Sequence, residues 1–299
     1  MADYPVERHS NLLIICLDVM LISNRSITMT NDKKILFVDL DETLLTTDKR
    51  ICKENIEAIT RMVAAGHIFA INTGRPYNAA VKLVADLNMG KNSYILSFHG
   101  TSGYDCGIKK SICNNHLDTD EAIKLLKAID NEGIHSQTFT IEGIYTTCDD
   151  DVLVEYNKYT DEPITIVKDY DELKGLSLNK VMAIDFNDHD RLDAFQKKYI
   201  DETSEYFNTF FSCMPYLEYT LKGADKGDGV RFLADYLNIP IENTIAVGDE
   251  GNDIPMIKAA GIGVCMVNGF SKVKEIADYV TKKDNNNGGI AEVIDKYIL

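Results

Sequence analysis

Short apolar runs recur along this chain, each closed by small or polar residues. Ile35-Leu36-Phe37-Val38 precedes Asp39-Leu40-Asp41-Glu42-Thr43, Ile68-Phe69-Ala70-Ile71 precedes Asn72-Thr73-Gly74-Arg75, and Tyr94-Ile95-Leu96-Ser97-Phe98 precedes His99-Gly100. Ile245-Ala246-Val247 precedes Gly248-Asp249, and Ile262 to Val267 forms a further run. Runs this short, without regular polar alternation, predict strands covered on both faces of a parallel sheet. Helical spacing fills the intervals. Ile56, Ile59 and Val63 share a face within Glu54 to Ala65, Pro76 opens a helix to about Asn88, and Val230, Leu233 and Leu237 recur after Lys226-Gly227-Asp228-Gly229. A helix from Ile254 stops at Gly261, and a last one runs from about Ile290 to Tyr297. The alternation predicts an α/β fold with a doubly wound parallel sheet.

The rhythm differs between about Tyr104 and Leu221. Helical patterns at Thr119 to Glu132, Val152 to Tyr159 and His189 to Tyr199 mix with strand patterns at Thr138 to Ile141, Ile144 to Thr147, Lys180 to Phe186, Tyr206 to Phe211 and Leu217 to Leu221. Strand patterns with no helix between them predict antiparallel pairing in an inserted α+β domain. The expected division is a core of residues 31–103 and 219–299 with an insert at 104–218. Residues 1–30 stand apart as an N-terminal extension. Their apolar stretch, Leu12 to Ile22, is interrupted by Asp18, is too short to span a bilayer and lacks a clear small-residue cleavage signal. Met29, shortly before the first strand, is the expected natural start.

Composition narrows the partners. At 299 residues, 45% hydrophobic and 26% charged, the chain is long enough for about two domains. A formal net charge of −16 opposes binding to nucleic acid or an anionic membrane through a general positive field, so neither is an expected partner. A phosphorylated metabolite remains compatible, because helix N-termini, single lysines and a bound cation hold phosphate locally. Seven scattered cysteines without a C-x-x-C pair predict reduced thiols in the cytoplasm, not a disulfide framework or structural zinc.

The strand ends carry the candidate chemistry. Asp39 and Asp41 alone are equally compatible with a solvated turn. Together with Thr73, Gly74, Asp249, Asn252 and Asp253 they form a set, since the carboxyl ends of strands in a parallel α/β sheet share one crevice. Three or four converging carboxylates repel one another, and a hard divalent cation bound through oxygen, such as Mg2+, relieves that repulsion. Lys226 opposes the dipole at its own helix start, a poor structural choice that points to an anionic ligand. Thr73 and Gly74 offer a hydroxyl and backbone N–H groups suited to phosphate.

These segments, in this order, resemble the four motifs of the haloacid dehalogenase superfamily: Asp39-Leu40-Asp41-Glu42-Thr43, Asn72-Thr73-Gly74-Arg75, Lys226-Gly227 and Gly248-Asp249-Glu250-Gly251-Asn252-Asp253. The layout is similar to the Cof-like subclass IIB of sugar-phosphate phosphatases, over about residues 33–299. The resemblance implies a Rossmann-like core with an inserted substrate-selecting cap. It implies that Asp39 is a nucleophile forming an aspartyl-phosphate and that Asp41 is the general acid and base. It implies a magnesium ion held by Asp39, the Asp41 backbone carbonyl and Asp249, with Asp253 in support. Thr73, Gly74, Lys226 and Asn252 would contact the phosphate, with Thr43 a turn residue behind them. The family commonly has Asn-Gly after the third strand where this chain has His99-Gly100, so His99, like Arg75, is a candidate substrate contact. The implied activity is a magnesium-dependent phosphatase of a small phosphorylated metabolite, of the sugar-phosphate type. Alternatives are a phosphosugar mutase using the same intermediate, or a non-catalytic metabolite-binding protein. Substrate identity, cap selectivity residues and oligomeric state stay open.

Overall fold

The computed structural model describes residues 33–299, apart from the Tyr159 side chain, and Lys34–Leu299 form one compact unit. The expected start at Met29 and the extension before it lie outside the described residues.

From its N-terminal end the chain forms β1 (Ile35–Val38), an irregular turn at Leu40–Leu44, a small hairpin closed by a Leu45–Ile51 bridge, and α1 (Lys53–Ala64). Next come β2 (Ile68–Asn72), α2 (Tyr77–Leu83), β3 (Ser93–Ser97), β4 (Ser102–Asp105) and β5 (Lys110–Asn114). A second group follows: α3 (Thr119–Asn131), β6 (His135–Thr140), β7 (Gly143–Thr146), α4 (Asp151–Thr160), β8 (Ile164–Ile166), β9 (Lys180–Ile184), α5 (His189–Thr203), β10 (Phe207–Cys213) and β11 (Tyr216–Leu221). The chain ends with α6 (Lys226–Tyr236), β12 (Thr244–Gly248), α7 (Ile254–Ala259), β13 (Ile262–Cys265), α8 (Ser271–Lys274), β14 (Tyr279–Val280) and α9 (Gly289–Tyr297).

The first sheet has the order β14-β13-β12-β1-β2-β3-β4-β5. It is parallel from β14 to β3, as the uninterrupted apolar runs require, and antiparallel at β4 and β5. Ile35, Leu36, Phe37 and Val38 are fully buried. Leu36 and Val38 meet Ala58, Ile59 and Met62 of α1 and Ile290, Val293 and Ile294 of α9 on one face. Ile35 and Phe37 meet Val230 and Leu233 of α6 and Met256 and Ile257 of α7 on the other. Burying such side chains contributes about 1.5–3 kcal/mol each, which lets the same strand tolerate buried carboxylates at its end. From β1 the sheet grows through β2 and β3 on one side and, later in the chain, through β12, β13 and β14 on the other, so the carboxyl end of β1 opens into the crevice where strand order reverses.

Several details differ from the sequence expectation, among them the boundary expected at 218/219, which falls inside β11 of the second sheet. The helix after Pro76 ends at Leu83, and a 3₁₀ turn at Ala85–Leu87 leads to Asn88 in the left-handed region at φ 47°. The change of rhythm at Tyr104 does not leave the first sheet: β4 and β5 extend it as an antiparallel edge, β4 with small and polar residues and β5 half-exposed, so neither carries an apolar run.

The second sheet has the order β10-β11-β9-β6-β7-β8, antiparallel except for the β7–β8 pair. Its strands alternate. Val181, Ala183, Leu217 and Tyr219 pack under α3 and α5, whereas Lys180, Met182, Glu218 and Thr220 turn to a cleft shared with the first sheet.

Candidate active site

The cleft encloses about 1090 Å³ and is lined by nine of the ten sequence-predicted residues: Asp39, Asp41, Thr73, Gly74, Arg75, His99, Lys226, Asp249 and Asn252. The tenth, Asp253, lies just beneath and is fully buried.

Asp39 follows β1 directly, its N–H bonded to the Val247 carbonyl of β12 at 3.1 Å. Lys226 reaches across from the start of α6, where its Nζ donates to Asp39 Oδ1 and Asp253 Oδ1, both at 2.6 Å. Its awkward place at a helix N-terminus is offset locally. Asp225 caps the helix, accepting from the Gly227 and Asp228 N–H groups at 2.8 and 3.1 Å. Asn72 Nδ2 holds the Lys226 carbonyl at 2.8 Å, tying β2 to the same helix start.

Asp249 and Asp253 hang from the loop after β12. Asp253 Oδ2 accepts from the Asp249 and Glu250 N–H groups at 2.9 and 3.0 Å, and Thr43 Oγ1 donates to Asp249 Oδ1 at 2.6 Å. Gly248 is needed for this packing, since a Cβ there would fall 2.4 Å from Asp253 Cγ. Carboxylate oxygens of Asp39, Asp249 and Asp253 lie within 4.8 Å of one another. Burial pushes Asp249 up to about 7 even though Thr43 pulls it down. Burial raises Asp39 likewise, and Lys226, held protonated by its two carboxylates, opposes the rise. Three buried carboxylates around one ammonium leave a deficit of positive charge, and an all-oxygen donor set fits a hard divalent cation.

Asp41 sits at the cleft mouth in a different environment. Arg75 grips it with two hydrogen bonds, Nε to Oδ2 at 2.7 Å and Nη2 to Oδ1 at 2.8 Å, and Lys49 Nζ adds a third at 2.9 Å. Burial acts to raise Asp41, but Arg75 and Lys49 outweigh it and hold the carboxyl at about 2. Arg75 is thereby turned to Asp41. Thr73, almost fully buried, accepts from the Arg75 N–H through Oγ1 at 3.2 Å, which leaves its hydroxyl proton for another acceptor. Asn252 is exposed at the rim.

His99 occupies a strained turn, with Phe98, His99 and Gly100 at φ 50°, 60° and 86°. Its ring covers Gly74 so closely that a Cβ at position 74 would lie 2.6 Å from His99 Cε1. On its other side stand Phe210, edge to face at 5.4 Å, and Glu218, with Oε2 at 3.9 Å from Nε2.

Lys49, Asn72, Asp225, Lys180 and Glu218 complete the site and carry no role in the sequence reading. Asn72 opens the second motif and Asp225 precedes the third, and both could have been found from strand-end and helix-cap position. Lys180 and Glu218 carry no such signal, because they stand in the phase opposite to Val181, Leu217 and Tyr219, where a solvent-facing charge is ordinary. A separate group, His135, Cys148 and Asp150, clusters in the second sheet, where Asp150 caps α4 through the Leu153 N–H at 2.9 Å and accepts from His135.

Comparison with known proteins agrees with this geometry. A family model for haloacid dehalogenase-like hydrolases matches residues 36–294. A Streptococcus pyogenes serotype M6 protein with a provisional phosphatase name is 31% identical over 273 residues, covering 89% of this chain and 98% of its own length. The Bacillus subtilis 5-amino-6-(5-phospho-D-ribitylamino)uracil phosphatase YitU is 28% identical over 267 residues, covering 88% and 97%. The crystal structure of a haloacid dehalogenase-like hydrolase from Bacteroides thetaiotaomicron superposes with a TM-score of 0.81 at 27% identity, covering 88% of this chain and 99% of that one. With the match running through every strand of the first sheet, the chain belongs to the haloacid dehalogenase-like hydrolase family.

Proposed function

We propose that the protein is a magnesium-dependent phosphatase of a small phosphorylated metabolite, of the sugar-phosphate type, working through an aspartyl-phosphate. The observation that carries this reading is the Lys226 ammonium, bonded at 2.6 Å to both Asp39 and Asp253 beside Thr73 and Gly74. A carboxylate aimed at a cleft and flanked by phosphate-binding groups is arranged for attack on phosphorus.

An Asp39 carboxylate oxygen forms a bond to phosphorus as the ester P–O bond breaks, and the departing oxygen takes a proton from Asp41. Water then attacks the same phosphorus and gives its proton to Asp41, releasing phosphate and restoring Asp39. Thr73, the Gly74 N–H and Lys226 neutralise the transferring group, and Asn252 contacts it from the rim. Asp39 and Asp249, with the Asp41 carbonyl and Asp253 in support, would hold Mg2+, which would supply the remaining positive charge. Arg75 and Lys49 keep Asp41 ionised, so proton donation requires those contacts to loosen. An incoming phosphate offers Arg75 a competing anion. The insert between the second and third motifs acts as the cap that selects substrate. Scattered cysteines support a reducing, cytoplasmic setting, and among the described residues no helix is long and apolar enough to cross a membrane.

Asp39→Asn tests the reading. Phosphate release from p-nitrophenyl phosphate should fall at least about 10³-fold with the melting transition retained, and the acid-stable phospho-protein adduct seen after quenching the parent should vanish. Release at the parent rate would remove Asp39 as nucleophile.

A further inference from the structure

The cleft wall contains a second polar group that the proposed reaction does not use. Lys180 on β9 and Glu218 on β11 are 3% and 5% exposed, and Nζ lies 3.1 Å from Oε2. Ser212 Oγ donates to Glu218 Oε1 at 2.7 Å. His99 faces them from the first sheet, 8% exposed, with Nε2 too far from Glu218 for a hydrogen bond and with no other partner among the described residues. Buried polar atoms without partners are rare and destabilising, and a buried ion pair is a poor way to stabilise a fold. A purely structural role for this group accounts for neither the partnerless Nε2 nor its place in the cleft.

The location sets what the group can meet. The His99 ring covers Gly74, next to Thr73, so a ligand atom between His99 and Glu218 lies beside the phosphate position and belongs to the part of the substrate nearest the ester. The chemistry sets what it can hold. Lys180 and Glu218 cancel in charge, while the ammonium carries three donors and the carboxylate several acceptor positions. Burial holds His99 below its usual range and therefore neutral. The walls beyond are Phe186, Phe210, Phe211 and Tyr216, none of which offers a further cation.

Resting on the phosphatase reading, we propose that His99, Lys180 and Glu218 form a charge-balanced subsite that accepts a neutral donor–acceptor group, such as a hydroxyl, close to the phosphoester and excludes a second anion there. A hydroxyl would donate to Glu218 and accept from Lys180 and His99, completing all three. A carboxylate or second phosphate would face Glu218, and the cation beside it, Lys180, is already paired with that carboxylate.

Matched probes test this on the full chain with Mg2+: glycerol 3-phosphate against 3-phosphoglycerate, 2-hydroxyethyl phosphate against 2-phosphoglycolate, and p-nitrophenyl phosphate as the reference. The parent should favour the neutral member of each pair by at least about 10-fold in kcat/KM. Glu218→Gln leaves Lys180 uncompensated, so within each pair the preference should shift at least about 10-fold toward the anionic member, a change that loosened packing would not produce. Should that variant lack a melting transition, His99→Asn carries the test, with an expected fall of about 5-fold or more in the ratio of neutral substrate to p-nitrophenyl phosphate. A parent that prefers the anionic members, or pair ratios unchanged in a folded variant, overturns the subsite. A parent that hydrolyses none of the probes, p-nitrophenyl phosphate included, overturns the phosphatase reading on which it rests.

Discussion

Two buried charge clusters face one cleft and are built on opposite arithmetic. At the end of the first sheet, Asp39, Asp249 and Asp253 gather around a single lysine, Lys226. In the wall formed by the second sheet, Lys180 meets a single carboxylate, Glu218, beside a neutral imidazole. The consequence is visible in their protonation. Burial drives Asp249 up to about 7, whereas burial of Glu218 is outweighed chiefly by Lys180, with Ser212 adding a hydrogen bond, and the carboxyl is held at about 2. On the proposed reading, the cluster short of positive charge takes a cation and a phosphoryl group, and the balanced one recognises a neutral group.

If that contrast is right, the two clusters should fail differently. The largest effect is expected from Lys226→Met, which strands two buried carboxylates. Unfolding free energy from denaturant titration should fall by about 3–5 kcal/mol, and phosphate release by at least about 10³-fold. A loss under about 1 kcal/mol would mean the deficit had been overstated. Next is removal of the divalent cation. Chelation should reduce phosphate release by about 10³-fold, and Mg2+ should restore it and raise the melting temperature, because a ligand of the folded state stabilises that state. Unchanged activity and melting temperature after chelation would break the comparison at its first half.

The smallest effect concerns the balanced cluster. The folded-state pKa of Glu218 lies below its usual 4.5, so its contribution is fully present above about 4.5 and is lost as pH falls toward about 2. The His99 shift is also downward and acts in the same direction below its usual 6.5. Together they should make stability decline on the acid side, by roughly 3 kcal/mol from Glu218 alone. Glu218→Gln should flatten that acid limb relative to the parent. Parallel stability–pH curves for the two proteins would show that Glu218 is not held down as described.

The sheet core and the acidic cluster around Lys226 were legible because short uninterrupted apolar runs have one natural place, and because the polar residues closing them are confined to a few positions in sequence. β4 and β5 were not legible, since an edge strand such as Lys110–Asn114 needs no apolar run. The neutral cluster escaped for a related reason. Lys180 and Glu218 stand in strand patterns whose neighbours, Val181, Leu217 and Tyr219, already satisfy the hydrophobic phase, and only the pairing of β9 with β11 brings the two charges together. The grip of Arg75 on Asp41 likewise depends on how two strand-end turns face each other, which spacing within either turn does not specify.

The connection from β11 to α6 has a consequence for how this protein tolerates change in length. Glu218 and Thr220 point into the cleft, Leu217 and Tyr219 point away, and only residues 222–225 separate the end of the strand from Lys226. One residue inserted or deleted within Tyr216–Leu221 would carry Glu218 into the apolar layer and bring an apolar side chain into the cleft. The segment therefore works as a ruler between Glu218 and Lys226, the proposed recognition group and the proposed phosphate ligand. Side chains along it can be exchanged to alter preference, while its length is fixed by the need to keep both ends in phase.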